Sequence, residues 1–417
     1  MEPRAGVYTP VPTSSFSALS DGTAVYQGRP SLFKVVSNSW ASSSLLKKSI
    51  FVLATMAAIG GAIGGALSRK KPSSAPPLTG ICAWSNYRLP TNVVPINYST
   101  IWAPSTDGNA FIEPLTFSGV TSMALTVNSD TPCVVVHAQG LTISRVTLVN
   151  ARTQIGGVAS WWPDTSAAGL GERVIVSAAN APSVIGDVIT LTFTYAAPLG
   201  TTNNGLYLSQ YVDDNGKTVN IIATQFEATA ARKAFPCMDE PGFKANFSIT
   251  LDGLPKGYTA LSNMPNQTTL MRPDGGTKVI FATTPRISTY LVALVAGPLV
   301  SVTFPNLIGR GQIPVTGWAV NRANNIYKLG YAVDACAAIL PYYESLYDLG
   351  FPLPKMDMVA LPDFAAGAME NVGLVTYRET AMLANTTTSS AAELQRVAVV
   401  VAHELAHQWF GDLTTMA

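Results

Sequence analysis

Charged residues are scarce in this 417-residue chain: they make up 12% of it, and the formal net charge is +1. A chain with so little positive charge lacks the electrostatic surface that nucleic-acid binding requires, so we expect no nucleic-acid partner. Apolar residues make up 47%, which excludes a disordered chain. The length suffices for two or three domains with their own cores.

Cysteine and histidine are also rare, with four and three residues. Cys82, Cys133, Cys237 and Cys336 stand far apart. The absence of any C-x-x-C pair argues against a thiolate zinc site. An oxidising compartment would permit disulfides, but the spacing does not assign their pairing.

One long apolar run lies near the N-terminus. Residues 50–67 form an 18-residue stretch without charge, bounded by Lys47 and Lys48 before it and by basic residues 69–71 after it. At about 1.5 Å per residue, such a helix just crosses a bilayer core. We predict a transmembrane signal anchor at 50–68. A buried core helix and a cleaved signal peptide are the less favoured alternatives.

The orientation of this span is indicated by glycosylation sequons. Lys and Arg counts are similar on its two sides, so the positive-inside rule does not decide. The N-x-S/T sequons decide instead, because all of them follow the span and glycosylation takes place outside the cytoplasm. They predict a cytoplasmic tail at 1–49, a stalk at 69–84, and a plasma-membrane protein whose bulk is extracellular. Two G-x-x-x-G spacings, at 60–64 and 61–65, would allow a homodimer. The sequons all follow the span: Asn97, Asn246, Asn266 and Asn385.

From residue 85 the pattern becomes typical of short β-strands. The segments are β-branched and separated by Gly, Asn, Asp or Pro. Repeated short strands without long helices predict an all-β sandwich or saddle-like domain over 85–299. The strand segments are 122–127, 133–138, 141–149, 188–195, 247–251, 278–284 and 289–297.

Near residue 300 the pattern changes to mixed helices and strands, which predicts an α+β domain over 300–417. Residues 324–350 are mostly helical in pattern, with a break or kink at Pro341. Strands are predicted at 355–364 and 373–379, and a last helix begins at a capping box formed by Ser390 and Glu393 and runs to Phe410.

The last predicted helix carries an H-E-x-x-H motif at His403, Glu404 and His407. Residues four apart share a helix face, so the two imidazoles can bind one Zn²⁺. Glu404 can accept a proton from a metal-activated water. A chance motif on an exposed helix is the alternative. The apolar run at 397–402 argues against it, because it predicts a buried helix.

Two further observations narrow the zinc site. Phe410 and Leu413 occupy the positions that hold glycine and a third histidine in the longer H-E-x-x-H-x-x-G-x-x-H motif, so a third ligand must come from elsewhere. His137, the remaining histidine, follows a strand-like valine run. We interpret it as structural.

Three motifs, which occur along the chain in the order typical of the family, resemble the M1 family of zinc aminopeptidases, most closely its membrane-anchored members. They are G-A-M-E-N at 367–371, H-E-L-A-H-Q-W-F-G at 403–411, and the segment 224–251. The resemblance covers about residues 85–417. It implies an N-terminal β domain followed by a thermolysin-like zinc peptidase domain that acts on peptides with a free N-terminus.

The resemblance also implies residue roles. His403 and His407 would be zinc ligands, and Glu404 the catalytic base. Glu370 would bind the α-amine of the substrate. An acidic clamp beside a metal measures off one residue, which implies an exopeptidase. The implied substrate-binding residues are Gln225 and Glu227 in the β domain, and Gly367, Ala368, Met369, Glu370 and Asn371.

The sequence departs from the family at Val372, Asp412 and Ala230, where tryptophan, asparagine and aspartate are usual, so its pocket shape should differ. The third zinc ligand of the family is a glutamate that would lie beyond Ala417. We therefore expect the chain to stop before it and to be inactive alone. The alternatives are a non-catalytic membrane-tethered binding ectodomain and an epoxide-hydrolase-like M1 branch. Ala368 and the span disfavour the latter.

Overall fold

The computed structural model describes most of the chain after residue 84. The predicted tail and span lie outside the described residues except for two short strands, and Cys82 and Trp84 are the described residues of the predicted stalk. Within the described part, no helix is long and apolar enough to cross a membrane. The described residues are 16–18, 23–26, 82, 84–104 and 115–416.

Short strands dominate the described residues. They are, in chain order, β1 (Phe16–Ala18), β2 (Thr23–Tyr26), β3 (Val93–Pro104), β4 (Thr116–Val127), β5 (Cys133–His137), β6 (Thr142–Asn150), β7 (Gly156–Val158), β8 (Trp161–Pro163), β9 (Arg173–Ser177), β10 (Val188–Pro198), β11 (Gly205–Val212), β12 (Thr218–Gln225), β13 (Asn246–Leu254), β14 (Thr259–Ser262), β15 (Asn266–Met271), β16 (Thr277–Phe281), β17 (Leu294–Gly297), β18 (Leu299–Thr303), β19 (Val315–Val320), β20 (Met356–Leu361), β21 (Ala368–Met369) and β22 (Leu374–Arg378).

Helices are concentrated in the last third of the described chain. Two single 3₁₀ turns occur earlier, at Ala231–Lys233 and Thr289–Leu291. The α-helices are α1 (Asn325–Lys328), α2 (Gly330–Tyr347), α3 (Glu379–Met382) and α4 (Ala391–His407).

The N-terminal β domain is built on an eight-stranded sheet in the order β15-β16-β13-β3-β4-β10-β6-β7. Its long strands alternate buried and exposed residues, because successive side chains point to opposite faces. The buried face carries aromatic side chains, including Tyr98 stacked on Phe247 with ring centroids 4.8 Å apart. A four-stranded sheet, β11-β12-β17-β14, and a three-stranded sheet, β5-β9-β8, complete it. The prediction of a β-rich N-terminal part is confirmed.

A second, mixed sheet follows, in the order β1-β2-β18-β19-β20-β22-β21. The strands β19, β20 and β22 are parallel, and every residue of β20 is buried, as expected where a sheet is covered on both faces. The short strand β21 runs antiparallel to β22 at the edge. The sequence pattern did not predict β1 and β2, which add to the other side of this sheet.

Three local expectations were wrong. Helix α2 runs through Pro341 without a break, because burial of Ala337 and Leu340 offsets the hydrogen bond that proline cannot donate; a kink at this residue stays a prediction. The predicted strand at 289–297 begins as a 3₁₀ turn and becomes extended only in β17. Helix α4 ends at His407, and its apolar run is buried on one face only, since Val399 is 60% exposed.

Cys133, Cys237 and His137 lie in the β domain, and Cys336 lies in helix α2. Cys82 and Cys133 form a disulfide, whereas Cys237 and Cys336 are free and buried. His137 lies at the end of β5, where its Nδ1 accepts the Asp239 N–H at 3.2 Å. Burial, together with the nearby positive charges of Arg232 and Arg173, lowers the pKa of His137 to about 3.

This buried histidine should make the β domain sensitive to acid. An unfolded histidine has a pKa of about 6.5, so below that pH the unfolded chain binds a proton that the folded chain refuses, and stability falls as pH falls towards 3. Between pH 7 and pH 5, we expect the wild type to lose about 2 kcal/mol more free energy of unfolding than His137→Gln. Urea unfolding at both pH values measures this. Equal losses in the two proteins would contradict the assignment.

Candidate active site

Helix α4 carries the H-E-x-x-H residues and is oriented by its ends and its buried face. At its start, Ser390 Oγ accepts the Glu393 N–H at 3.3 Å and Glu393 Oε2 accepts the Ser390 N–H at 2.7 Å, which confirms the predicted capping box. At its other end, the Trp409 indole N–H donates to the Leu349 carbonyl at 3.1 Å. Burial of Leu405 between these points fixes which way the helix faces.

The two histidines of α4 converge as metal ligands would. His403 Nε2 and His407 Nε2 lie 3.1 Å apart. Two nitrogens on a tetrahedral zinc ion are about 3.3 Å apart, given Zn–N bonds of about 2.0–2.1 Å. His407 Nδ1 lies 3.0 Å from the Phe410 carbonyl oxygen. A carbonyl can only accept, so Nδ1 donates and Nε2 keeps the lone pair that a metal needs.

The surroundings of His403 favour the neutral form of its imidazole, which is the form that binds metals. Burial, with a smaller effect from His407, lowers the pKa of His403. Within the described residues, however, no cluster of three or more His, Cys, Asp or Glu side chains could hold a metal ion. The residues present therefore fit two of the three protein ligands that a catalytic zinc usually has.

Three carboxylates surround the histidine pair. Glu404 and Glu370 are buried, and Glu370 Oε1 lies 4.0 Å from His407 Nδ1. Burial and the charges of Glu370 and Glu227 raise the pKa of Glu404 to about 9. Partial desolvation by neighbouring groups, together with the charge of Glu370, also raises the pKa of Glu227, which keeps an exposed surface. Crowded carboxyl groups with raised pKa values favour cationic ligands, because the charge of a metal ion or an ammonium group would lower these pKa values and ionise the groups.

The remaining predicted site residues lie in or next to the ends of strands. Gln225 ends β12, is buried, and has an Oε1 atom without a hydrogen-bond partner among the described residues. Ala368 and Met369 form β21, whose outer edge is unpaired within the described chain. An unpaired edge can add an extended peptide as a further strand.

The segment around β21 is fixed at both of its ends. The Gly367 carbonyl accepts the Arg378 N–H at 2.9 Å. Asn371 Nδ2 donates to Thr376 Oγ1 at 3.1 Å. The edge that would meet a peptide is therefore held in place before any ligand arrives.

Sequence reasoning missed two buried residues of the site. The Tyr290 hydroxyl donates to the Gly411 carbonyl at 3.2 Å, and burial together with Asp412, Glu370 and Glu227 raises its pKa. Asp412 was noted only as a departure from the family. Its carboxyl oxygens are buried without a hydrogen-bond partner in the described part of the chain, and burial and Glu370 raise its pKa well above the usual value. Tyr290 lies far from the motifs in sequence, so no local signal could have identified it.

The structure also gives the burial of the two other residues that depart from the family pattern and of the four sequon asparagines. Ala230 and Val372 are buried, and the Val372 carbonyl accepts the Asn263 amide N–H at 2.9 Å. Asn97 and Asn266 are exposed, whereas Asn246 and Asn385 are partly buried, and their side-chain amides donate to backbone carbonyls at 2.8 and 3.4 Å.

Comparison with known proteins gives consistent matches. Residues 94–291 match the Peptidase M1 N-terminal domain, and residues 331–417 match the Peptidase family M1 domain. Endoplasmic reticulum aminopeptidase 1 of Homo sapiens is 37% identical over 378 residues, which is 91% of this chain and 38% of that protein. Aminopeptidase N of Bos taurus is 36% identical over 341 residues, or 80% of this chain and 34% of that protein.

A bacterial relative is matched over most of its own length. Aminopeptidase N of Acetobacter pasteurianus is 39% identical over 334 residues, which is 79% of this chain and 86% of that protein. The chain thus spans between 34% and 38% of the two mammalian relatives.

Proposed function

The chain belongs to the M1 peptidase family, and from that premise we propose that the whole protein is a zinc aminopeptidase that removes N-terminal residues from peptides. The observation that carries this proposal is the convergence of His403 and His407 with the carboxylates of Glu404 and Glu370 beside an unpaired strand edge. The three relatives described above are all named aminopeptidases, which supports it.

In this proposal, His403 and His407 hold one Zn²⁺ together with a third ligand that the described residues do not provide. When bound, zinc supplies Lewis-acid chemistry that polarises a peptide carbonyl and makes a water molecule more acidic. Glu404 accepts the proton of the attacking water and passes it to the leaving amine. Its burial keeps solvent away from that proton transfer.

The other residues select the end of a peptide. Glu370, with Glu227 beside it, pairs with the α-ammonium of the substrate through charge-assisted hydrogen bonds. The backbone of residues 367–371, including Ala368, Met369 and Asn371, pairs with the substrate in extended form. Gln225 lines the pocket for the first side chain. Because the clamp lies beside the metal ligands, one residue fits between them.

A comparison of two substrates tests this proposal. The whole, zinc-loaded protein should cleave leucine p-nitroanilide and should be inactive on N-acetyl-leucine p-nitroanilide, whose amine carries no charge. A chelator should abolish the activity, and added zinc should restore it. Equal cleavage of both substrates, or activity that survives chelation, would sink the proposal.

A membrane-tethered binding ectodomain is the second candidate. This candidate requires no metal, and among the described residues no third ligand joins His403 and His407. Zinc content separates the candidates, because an enzyme should retain about one zinc per chain after dialysis, whereas a site with two ligands should lose it.

We also propose that the protein is anchored in the plasma membrane by residues 50–68, with the β domain outside the cell and with the span as a route to a homodimer. Strands β1 and β2 precede the span but join the sheet of β18 in the structure, so this orientation requires them to leave that sheet in the membrane-bound protein. The exposed sequon residues Asn97 and Asn266 suit glycosylation in the secretory pathway. Endoglycosidase treatment of protein expressed in eukaryotic cells should increase its electrophoretic mobility. Unchanged mobility would argue against this orientation.

A further inference from the structure

Gln408 is a buried amide between the metal-binding helix and the amine-binding carboxylate. It directly follows His407, and it is 1% exposed. Its Nε2 donates to the Glu370 carbonyl oxygen at 2.9 Å, and its Oε1 accepts the Gly373 N–H at 3.3 Å. Both bonds reach residues 370–373, a turn that we call the clamp turn.

The clamp turn lies beyond the regular pairing of the sheet. The ladder between β21 and β22 ends at the pair Met369 and Thr376, so the Glu370 carbonyl follows the last paired residue. Gly373 has a φ of +74°, and an added Cβ would lie 2.6 Å from the Asn263 carbonyl oxygen, so its place in this tight turn suits glycine alone. Backbone groups buried here need partners, and Gln408 provides one donor and one acceptor.

The chemistry of glutamine suits this position. A planar amide presents a donor on one side and an acceptor on the other, which matches a carbonyl and an N–H three residues apart in the turn. Rotating the amide by 180° would place its oxygen against the Glu370 carbonyl oxygen and its NH₂ group against the Gly373 N–H, so both hydrogen bonds would be lost. Methionine has a similar length but offers neither a comparable donor nor a comparable acceptor.

The clamp turn is held on its other side by Asn263. The Asn263 amide nitrogen donates to the Val372 carbonyl at 2.9 Å and to the Leu291 carbonyl at 2.8 Å, and its oxygen accepts the Ala293 N–H at 2.9 Å. Asn263 therefore ties the turn to the β domain, whereas Gln408 ties it to α4. His407 is oriented by the Phe410 carbonyl rather than by Gln408.

We propose that Gln408 is a positioning residue for amine recognition. It holds Glu370 at a set distance from the histidine pair, so that an α-ammonium bound at Glu370 places the first peptide bond at the metal. This inference rests on the proposed function, because it requires that Glu370 binds the substrate amine. It separates two properties of the site: loss of the Gln408 amide weakens amine recognition and leaves the histidine pair oriented.

Replacing Gln408 by methionine in the full chain tests this role. We titrate L-leucinol and N-acetyl-L-leucinol, which lack a carboxamide for the proposed enzyme to cleave, calorimetrically in zinc-supplemented buffer and take the ratio of their affinities as the measure of amine recognition. Gln408→Met should lower that ratio about tenfold, the size of effect expected from losing one or two neutral hydrogen bonds. Zinc affinity should stay within about twofold of the wild type. Gln395→Met, on the exposed face of the same helix, is the matched control and should change neither quantity.

A double-mutant cycle with Glu370→Ala separates positioning from a general structural effect. If Gln408 acts through Glu370, adding Gln408→Met to Glu370→Ala should leave the affinity ratio unchanged. Additive losses, or a parallel loss of zinc affinity, would overturn the inference. A wild type that does not prefer L-leucinol over its N-acetyl derivative would overturn both this inference and the proposed amine clamp. If Glu370→Ala abolishes the preference while Gln408→Met retains it, only the positioning role fails.

Thermal unfolding checks that each variant is folded. Should Gln408→Met unfold at the assay temperature, Gln408→Asn takes its place, since an amide one methylene shorter cannot reach both ends of the clamp turn. The same direction of change in the affinity ratio is expected, and an unchanged ratio in a folded Gln408→Asn protein would overturn the inference.

Discussion

Replacing Glu404 with glutamine should lower kcat roughly a hundred- to ten-thousand-fold in the whole, zinc-loaded protein, the range for loss of a general base. Glutamine has the same shape but cannot accept the proton of the attacking water. Because Glu404 is buried, bulk solvent has little access to replace it as the base. The zinc ligands are His403 and His407 in the proposal, so zinc content should be unchanged. Steady-state kinetics and metal analysis of the same preparation measure both quantities.

The matched control for this variant lies on the same helix. Glu393→Gln is exposed and retains the capping box, since glutamine serves at this position as well as glutamate does. It should have wild-type kcat and stability. If Glu404→Gln kept more than a tenth of the wild-type kcat with its zinc in place, another group would have to be the base.

Replacing Glu370 with alanine should lower kcat/KM for a substrate with a free amine roughly a hundredfold, because it removes one partner of a desolvated charge pair. It should also remove the discrimination against an N-acetylated substrate. Glu370 is buried and its Oε1 lies 4.0 Å from His407 Nδ1, so it lies next to the histidine pair. The measurements are kcat/KM for both anilides and zinc content, which should be retained.

Two further variants sharpen this prediction. Asp130→Ala removes an exposed carboxylate of the β domain and should have no effect. Glu227→Ala should have a smaller effect than Glu370→Ala, because a charge open to solvent is screened more strongly. Unchanged substrate discrimination in Glu370→Ala would show that the ammonium is bound elsewhere.

The features that could be predicted from sequence depend on neighbours along the chain. The capping box at Ser390 and Glu393, the separation of His403 and His407 by one helical turn, and the alternation in the long strands all follow from backbone geometry. The clearest failures were at 289–297 and at Pro341. There, local preference was overruled by packing that the sequence does not display.

The sequence by itself determined the helix that carries His403, Glu404 and His407 and the order of a β-rich part and a mixed part, because these depend on contacts within a few residues. Only the tertiary structure decided that Glu227, from the β domain, and Glu370 lie close enough to Glu404 to raise its pKa by electrostatic repulsion. It also decided that Tyr290 joins them and that Gln408 bridges the helix to the clamp turn. Hydrogen bonds and Coulomb forces act through space, so residues far apart in the chain interact once packing brings them together, and no periodicity in the sequence records that.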